Sequence, residues 1–202
     1  RIRDVTQSRR YEKELLEREA SLRLLSETST RLLQSHDEPD MVLREVFEAT
    51  AKRVGASVYL NHLVADDGTH LELRSHAGLG EDEVGQVALL ELDGLACKAV
   101  GKMEEHCASG RISRCSEPRM EAIRQRLKAF ACYPLVADNL LGIVAFGTDD
   151  REAFTDEQHE LMRAVTDQVS MTLSRHRLHL ELARRARDLD EANQAKDHFL
   201  AV

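Results

Sequence analysis

Residues 130–150 read FACYPLVADNLLGIVAFGTDD, and residues 154–173, just beyond, read FTDEQHELMRAVTDQVSMTL. The first stretch holds two nearly continuous apolar runs, FACYPLVA and LLGIVAFGT, split by the turn-forming pair Asp138-Asn139. Runs this unbroken belong to strands covered on both faces, because a strand with one wet face would alternate. In the second stretch Thr155, with Gln158 three positions on, fits a reciprocal helix cap, and Asp156 and Glu157 favour a helix N-terminus. Leu161, Met162, Val165, Val169, Met171 and Leu173 then form a broad apolar face, as expected of a helix lying on a sheet. Further on the stripe narrows to Leu178, Leu182, Leu189, Ala192 and Phe199, spaced four, seven, three and seven. That is heptad spacing, so the helix is expected to leave the domain and pair with a second copy.

Upstream of this pair the chain changes period several times. SVYLNHLV, the turn Asp66-Asp67-Gly68 and THLELRSHA read as a β-hairpin. GQVALLELDG offers a third strand, and a short one is expected near Arg111 to Ser113. Glu117 to Lys128 read as a helix with Pro118 in its first turn. DMVLREVFEATAKRVG reads as an earlier helix, capped by Asp37 or Asp40 and stopped by Gly55, with Val42, Val46, Ala49 and Val54 along one side. All ten glycines lie between Gly55 and Gly147, and the prolines are Pro39, Pro118 and Pro134, so both flanks are free of helix breakers. The first flank carries Leu15, Leu22 and Leu25 at seam positions, continued by Leu32, among Glu and Arg.

Composition narrows the function classes. The chain has 202 residues and a formal charge of −8, which argues against nucleic acid or an anionic membrane as partner. Aromatic residues make up 4% and tryptophan is absent, leaving few platforms for stacking bases. No apolar run approaches the roughly 20 residues that span a bilayer, so a soluble fragment is expected. Arg1 reads as a cut inside a longer chain.

The paired strands, the helix after them, and the turn GLACKAVGKM together resemble a GAF domain over roughly Pro39 to Leu173. That resemblance implies an α+β fold: an antiparallel sheet of about six strands flanked by helices. The ends carry resemblances of their own. IRDVTQSRRYEKELLE is similar to the exit of a PAS domain, which closes on a triplet like Asp4-Val5-Thr6 before a charged helix. EANQAKDHFLAV is similar to the run entering the dimerisation and phosphotransfer helix of sensor histidine kinases. In that family the phosphoacceptor histidine follows the FLA triplet, so His198, before Phe199, is not taken for it. The expected organisation is a PAS exit over 1–8, a signalling helix over 9–36, a GAF domain over 37–175 and a signalling helix over 176–202. The seam of a parallel homodimer would be Leu15, Leu22, Leu25, Leu178, Leu182, Leu189 and Phe199. The kinase core in cis and a response regulator would be partners through the parent chain.

The resemblance places a ligand pocket among Cys97, Met103, His106, Cys107, Cys115, Met120, Ile123 and Cys132. Its expected role is to bind a small molecule or sense redox state, with no catalysis in this fragment. Cys97, Cys107, Cys115 and Cys132 are spaced ten, eight and seventeen apart and lack a Cys-x-x-Cys pair, so no metal or iron–sulfur cluster is expected. Cys97 and Cys132 read as buried thiols, while Cys107 and Cys115 beside His106 are candidates for a thiol switch. A bilin is not expected: Ser116 follows Cys115, and His106 precedes Cys107 where light-sensing relatives have Cys then His. Haem on His106 rests on one histidine among nine. The cyclic-nucleotide pattern of some GAF domains is absent, since Phe154-Thr155-Asp156-Glu157 is too compact for it. Free methionine-sulfoxide reductases also carry a cysteine in the glycine turn, matched by Cys97, but the position near Ile123 is not a thiol. A thiol enzyme of that kind, or a ligand-free spacer, is the alternative. Arg111, Arg114, Arg119, Arg124, Arg126 and Lys128 read as a solvated helix face rather than an anion site.

Overall fold

The computed structural model describes residues 39–92, 106–109 and 118–200. In chain order it has α1 (Pro39–Val54), β1 (Val58–Val64), β2 (His70–Ala77), α2 (Glu81–Val87), β3 (Leu89–Glu91) and β4 (His106–Ser109). A 3₁₀ turn (Pro118–Met120), α3 (Glu121–Arg126), β5 (Ala129–Val136), β6 (Leu140–Thr148) and α4 (Asp156–Leu200) complete it. The strands form one six-stranded sheet in the order β3-β2-β1-β6-β5-β4. All five pairings are antiparallel.

Alternation along the inner strands divides the core in two. Ala129, Ala131, Tyr133 and Leu135 of β5 face the long helices, packing with Leu43, Phe47 and Val54 of α1 and Met162, Val165 and Val169 of α4. Phe130 and Cys132 face the other way, into a second cluster with Leu60, Leu71, Ile143 and Ala145. That cluster is closed by Val87 of α2, Leu90 of β3, and Met120 and Ile123 around α3. The sheet is therefore covered on both faces, by two long helices on one and two short ones on the other.

Local chemistry explains the element ends. At the end of α1, Gly55 takes φ +65°; its N–H bonds Lys52 O at 3.4 Å and the Ala56 N–H bonds Ala51 O at 2.8 Å. This paired closure needs a left-handed residue, which glycine adopts at little cost. The cap of α4 is reciprocal as expected: Thr155 N–H donates to Gln158 Oε1 at 2.9 Å, and Gln158 N–H donates to Thr155 Oγ1 at 3.3 Å. Gln158 Nε2 also donates to Val54 O at 2.9 Å, tying the start of α4 to the end of α1. Inside the sheet, β1 and β6 approach closely at Gly142, where a Cβ would lie 2.2 Å from the His62 carbonyl oxygen.

Several expectations are corrected. The third strand is only Leu89–Glu91, because the first part of GQVALLELDG belongs to α2, whose start is acidic (Glu81, Asp82, Glu83) and whose Gly80 N–H is capped by Glu83 Oε2 at 2.8 Å. The fourth strand is His106–Ser109, paired with Ala129–Cys132; residues 111–113 lie outside the described residues. The expected helix over Glu117–Lys128 is a 3₁₀ turn followed by the short α3. On α1 the buried stripe runs through Leu43, Val46, Phe47, Thr50, Ala51 and Val54, while Ala49 is exposed because it falls off that stripe. On α4 Met171 is 62% exposed, about 200° around the helix from the buried Val169, and so does not face the sheet. The seam residues Leu15, Leu22 and Leu25 lie outside the described residues.

Candidate functional site

Three of the eight expected pocket residues share one buried cluster. Met120, Ile123 and Cys132 are buried together in the cluster between the sheet and the short helices. The register of β4 sets His106 opposite Cys132 and Cys107 opposite Ala131, bringing two more of the expected residues to the adjoining strand. Cys97, Met103 and Cys115 lie outside the described residues. Among the described residues no group of three or more His, Cys, Asp or Glu is arranged to hold a metal ion.

The same face holds two polar residues that the sequence reading did not single out. His62 is the fifth residue of β1, between Leu73 of β2 and Ile143 of β6 in the register, and both neighbours belong to the short-helix side. It is 1% exposed. Its Nε2 lies 2.8 Å from the carbonyl oxygen of Val87, the last residue of α2. A carbonyl can only accept, so Nε2 carries the hydrogen. Burial pushes the His62 pKa down to about 4, from an ordinary 6.5, the Val87 bond opposing this only in part. The ring is therefore neutral at pH 7, and Nδ1 presents a bare lone pair.

That lone pair has no hydrogen-bond partner, and neither does the buried Nδ1 of His76. His76 lies opposite Leu60, two residues before His62, so the two histidines are diagonal neighbours on one face. A buried acceptor left unpaired costs about 1–3 kcal/mol. A β-bulge between Asn61 and His62 shifts the β1–β2 register beside them, a device that re-aims side chains at functional sites. The signal in the sequence was a histidine between Asn61 and Leu63 in SVYLNHLV, and it carried no spacing that separates a buried histidine from a solvated one.

The opposite face has orphaned polar atoms of another kind. Asn61 Oδ1 is buried without a partner, beside the Asn61 Nδ2 to Ser75 Oγ bond at 3.5 Å, and the Tyr59 hydroxyl is buried near the same serine.

The short helices are pinned to the sheet by arginines. Arg126 Nη2 donates to Gly78 O at 2.8 Å and lies 3.2 Å from Glu83 Oε2, so α3, α2 and the end of β2 share one ion-paired knot. Arg119 Nη1 donates to the carbonyl of Leu89 in β3. These two members of the basic stretch therefore hold the cover in place, where a purely solvated face was expected. Arg111 and Arg114 lie outside the described residues, and Lys128 is exposed.

On the far side of the domain α4 continues well past the sheet. Leu161, Met162, Val165, Val169 and Leu173 are buried, but Leu178, Leu182 and Leu189 are 57%, 55% and 66% exposed. No helix among the described residues is long and apolar enough to cross a membrane.

Comparison with known proteins places this architecture. A family model described as GAF domain matches residues 36–174. No curated protein sequence matches. Among solved structures, the GAF domain of a phosphoenolpyruvate-protein phosphotransferase from Coxiella burnetii is 16% identical with TM-score 0.66, covering 79% of this chain and 95% of its own. The GAF domain of a protein assigned as a sensor histidine kinase, from Pseudomonas syringae pv. tomato, is 19% identical with TM-score 0.60, covering 85% and 99%. A free methionine-R-sulfoxide reductase from Neisseria meningitidis, in complex with its substrate, is 13% identical with TM-score 0.61, covering 79% and 91%. At these identities the structures share the fold with this chain, whereas the family model spans most of its length. With its α+β sheet, its two unequal helical layers and that match, the chain belongs to the GAF domain family.

Proposed function

We propose that this chain is the sensory and regulatory GAF domain of a two-component sensor histidine kinase, with no catalysis of its own. It binds a small ligand, or senses redox state, on the short-helix face and relays the change along α4 to control autophosphorylation. The observation that carries this reading is the continuity of α4, 45 residues in one helix. Its first half is packed on the sheet and its second half presents Leu178, Leu182 and Leu189 to solvent. A shift of the sheet against α4 thus has a rigid path, about 65 Å long at 1.5 Å per residue, to whatever follows.

The exposed leucines fit a parallel homodimer seam. Met171, Leu178 and Ala192 stand on one heptad position, Leu182 and Leu189 on the other, with Arg175 and Arg185 interrupting. Arg185 is paired along its own helix with Glu181 at 2.5 Å, so its charge need not point into the seam. A seam weakened in this way can hold two packings separated by a few kcal/mol, which a ligand can bias. Single cysteines at Leu182 and Leu189 should each give a symmetric disulfide-linked dimer under mild oxidation. Failure of both to cross-link, with a monomeric mass in solution, removes the relay.

The fold shared with a methionine-sulfoxide reductase supports a second reading, a thiol enzyme using Cys97. Turnover of free methionine sulfoxide with a thiol reductant would support it, and its absence leaves the sensor.

A further inference from the structure

Among the described residues, the buried lining of the short-helix face is apolar apart from the Cys132 thiol, His62 and His76. Leu60, Leu71, Leu90, Met120, Ile123 and Ile143 surround it, and no lysine, arginine or carboxylate among the described residues is buried there. Among the described residues a charged ligand would find no counter-charge in this wall, and burying a lone charge is far costlier than burying a neutral polar group. What the wall does offer is the His62 Nδ1 lone pair, held in place because Nε2 is committed to Val87 O. The His76 Nδ1 lies diagonally beside it, also buried and without a partner. A site with one fixed acceptor and apolar walls discriminates sharply: a molecule with a matching donor satisfies the acceptor, and one without leaves it unpaired.

We propose that His62, with His76 beside it, is the recognition point of this face for a neutral, mostly apolar small molecule carrying an N–H or O–H donor. This rests on the sensory reading above and specifies its ligand class. The donor hydrogen-bonds to His62 Nδ1, and the body of the molecule packs by Leu60, Leu71 and Ile143 in place of part of the short-helix cover that buries them. Because the other nitrogen of the same ring holds the C-terminal end of α2, occupation of Nδ1 bears directly on how that helix sits on the sheet.

Two matched pairs of probes test this on the 202-residue chain: indole against N-methylindole, and phenol against anisole. Binding is followed by titration calorimetry and by the histidine ring nitrogens in NMR. Indole and phenol should bind at least about tenfold more tightly than their methylated partners, and should move the His62 Nδ1 resonance while Nε2 stays protonated. Two near-isosteres divide the ring's roles. His62→Gln keeps a donor where Nε2 reaches Val87 and should lose the preference for donor-bearing probes. His62→Asn keeps an acceptor near the Nδ1 position and should retain it. Equal binding of both members of each pair overturns the proposal while leaving the face a binding site. No binding by any of the four overturns it together with the sensory reading of this face. Where a variant does not fold, the wild-type Nδ1 resonance decides: unmoved by indole and phenol at saturation, it refutes the contact.

Discussion

The two faces of one sheet are built to different specifications. On the long-helix face Phe47 of α1 meets Tyr59 and Phe146 with ring centroids 6.4 Å from each, and α4 lays Met162, Val165 and Val169 against β5 and β6. On the other face the cover is two helices of seven and six residues, pinned by arginine to backbone carbonyls. Helices that short are marginal by themselves and owe their position to those pins and a few apolar contacts. The first face has the features of a scaffold, and the second those of a part that can move.

The largest break in that contrast should come from the scaffold. Phe47→Ala removes a fully buried ring from the long-helix face and should cost about 3–5 kcal/mol in urea unfolding. A loss under 1 kcal/mol would show that this face is not the stabilising one. Next comes the buried histidine. In the folded chain His62 resists protonation down to about pH 4, whereas in the unfolded chain it takes up a proton near 6.5. The unfolded state therefore binds more protons between those values, and stability falls as pH drops through that window, by up to about 3 kcal/mol. Comparing urea midpoints from pH 7 to 4 checks this, because His62→Gln should flatten that part of the slope that carboxylates do not share.

Smaller effects sharpen the comparison. Arg126→Ala cuts the ties to Gly78 and Glu83, yet the side chain is partly solvated, so the global loss should be about 1 kcal/mol or less. Its local signature is more telling: amide exchange in α2 and α3 should quicken while α1 stays protected. Thr155→Ala removes half of the cap on α4 and should cost about 1 kcal/mol by the same unfolding assay, on the scaffold side alone. The surface pair Arg44–Glu48, at 2.9 Å on the outside of α1, should matter least. Glu48→Ala should leave the unfolding midpoint indistinguishable from that of the unsubstituted chain.

Legibility in the sequence followed the same division. Strands β5 and β6, the hairpin β1–β2, the Gly55 stop and the Thr155/Gln158 cap all announce themselves through local chemistry: apolar runs, turn residues, a glycine, a capping pair. The short-helix side was harder. Gly85 lies inside the helix Glu81–Val87, where an acidic first turn and packing on the sheet outweigh the cost of a glycine. The strand His106–Ser109 exists through pairing with β5, which no local signal in HCAS encodes. Met171 was assigned to the sheet face because it is apolar, though its angle on the helix points it outward. Of the expected pocket residues, Met120, Ile123 and Cys132 share one buried cluster, while His62 and His76 were not singled out, since an orphaned nitrogen is a property of three-dimensional surroundings.

The unbroken run of α4 has a geometric consequence. A single helix with one end fixed on the sheet and the other carrying the leucine stripe keeps the two in fixed rotational phase. One residue added between Leu173 and Leu178 would turn the stripe by about 100° relative to the sheet, while seven added would return it to within about 20°. The length of that junction, counted in residues modulo seven, is thus part of the protein's specification, independent of which side chains fill it.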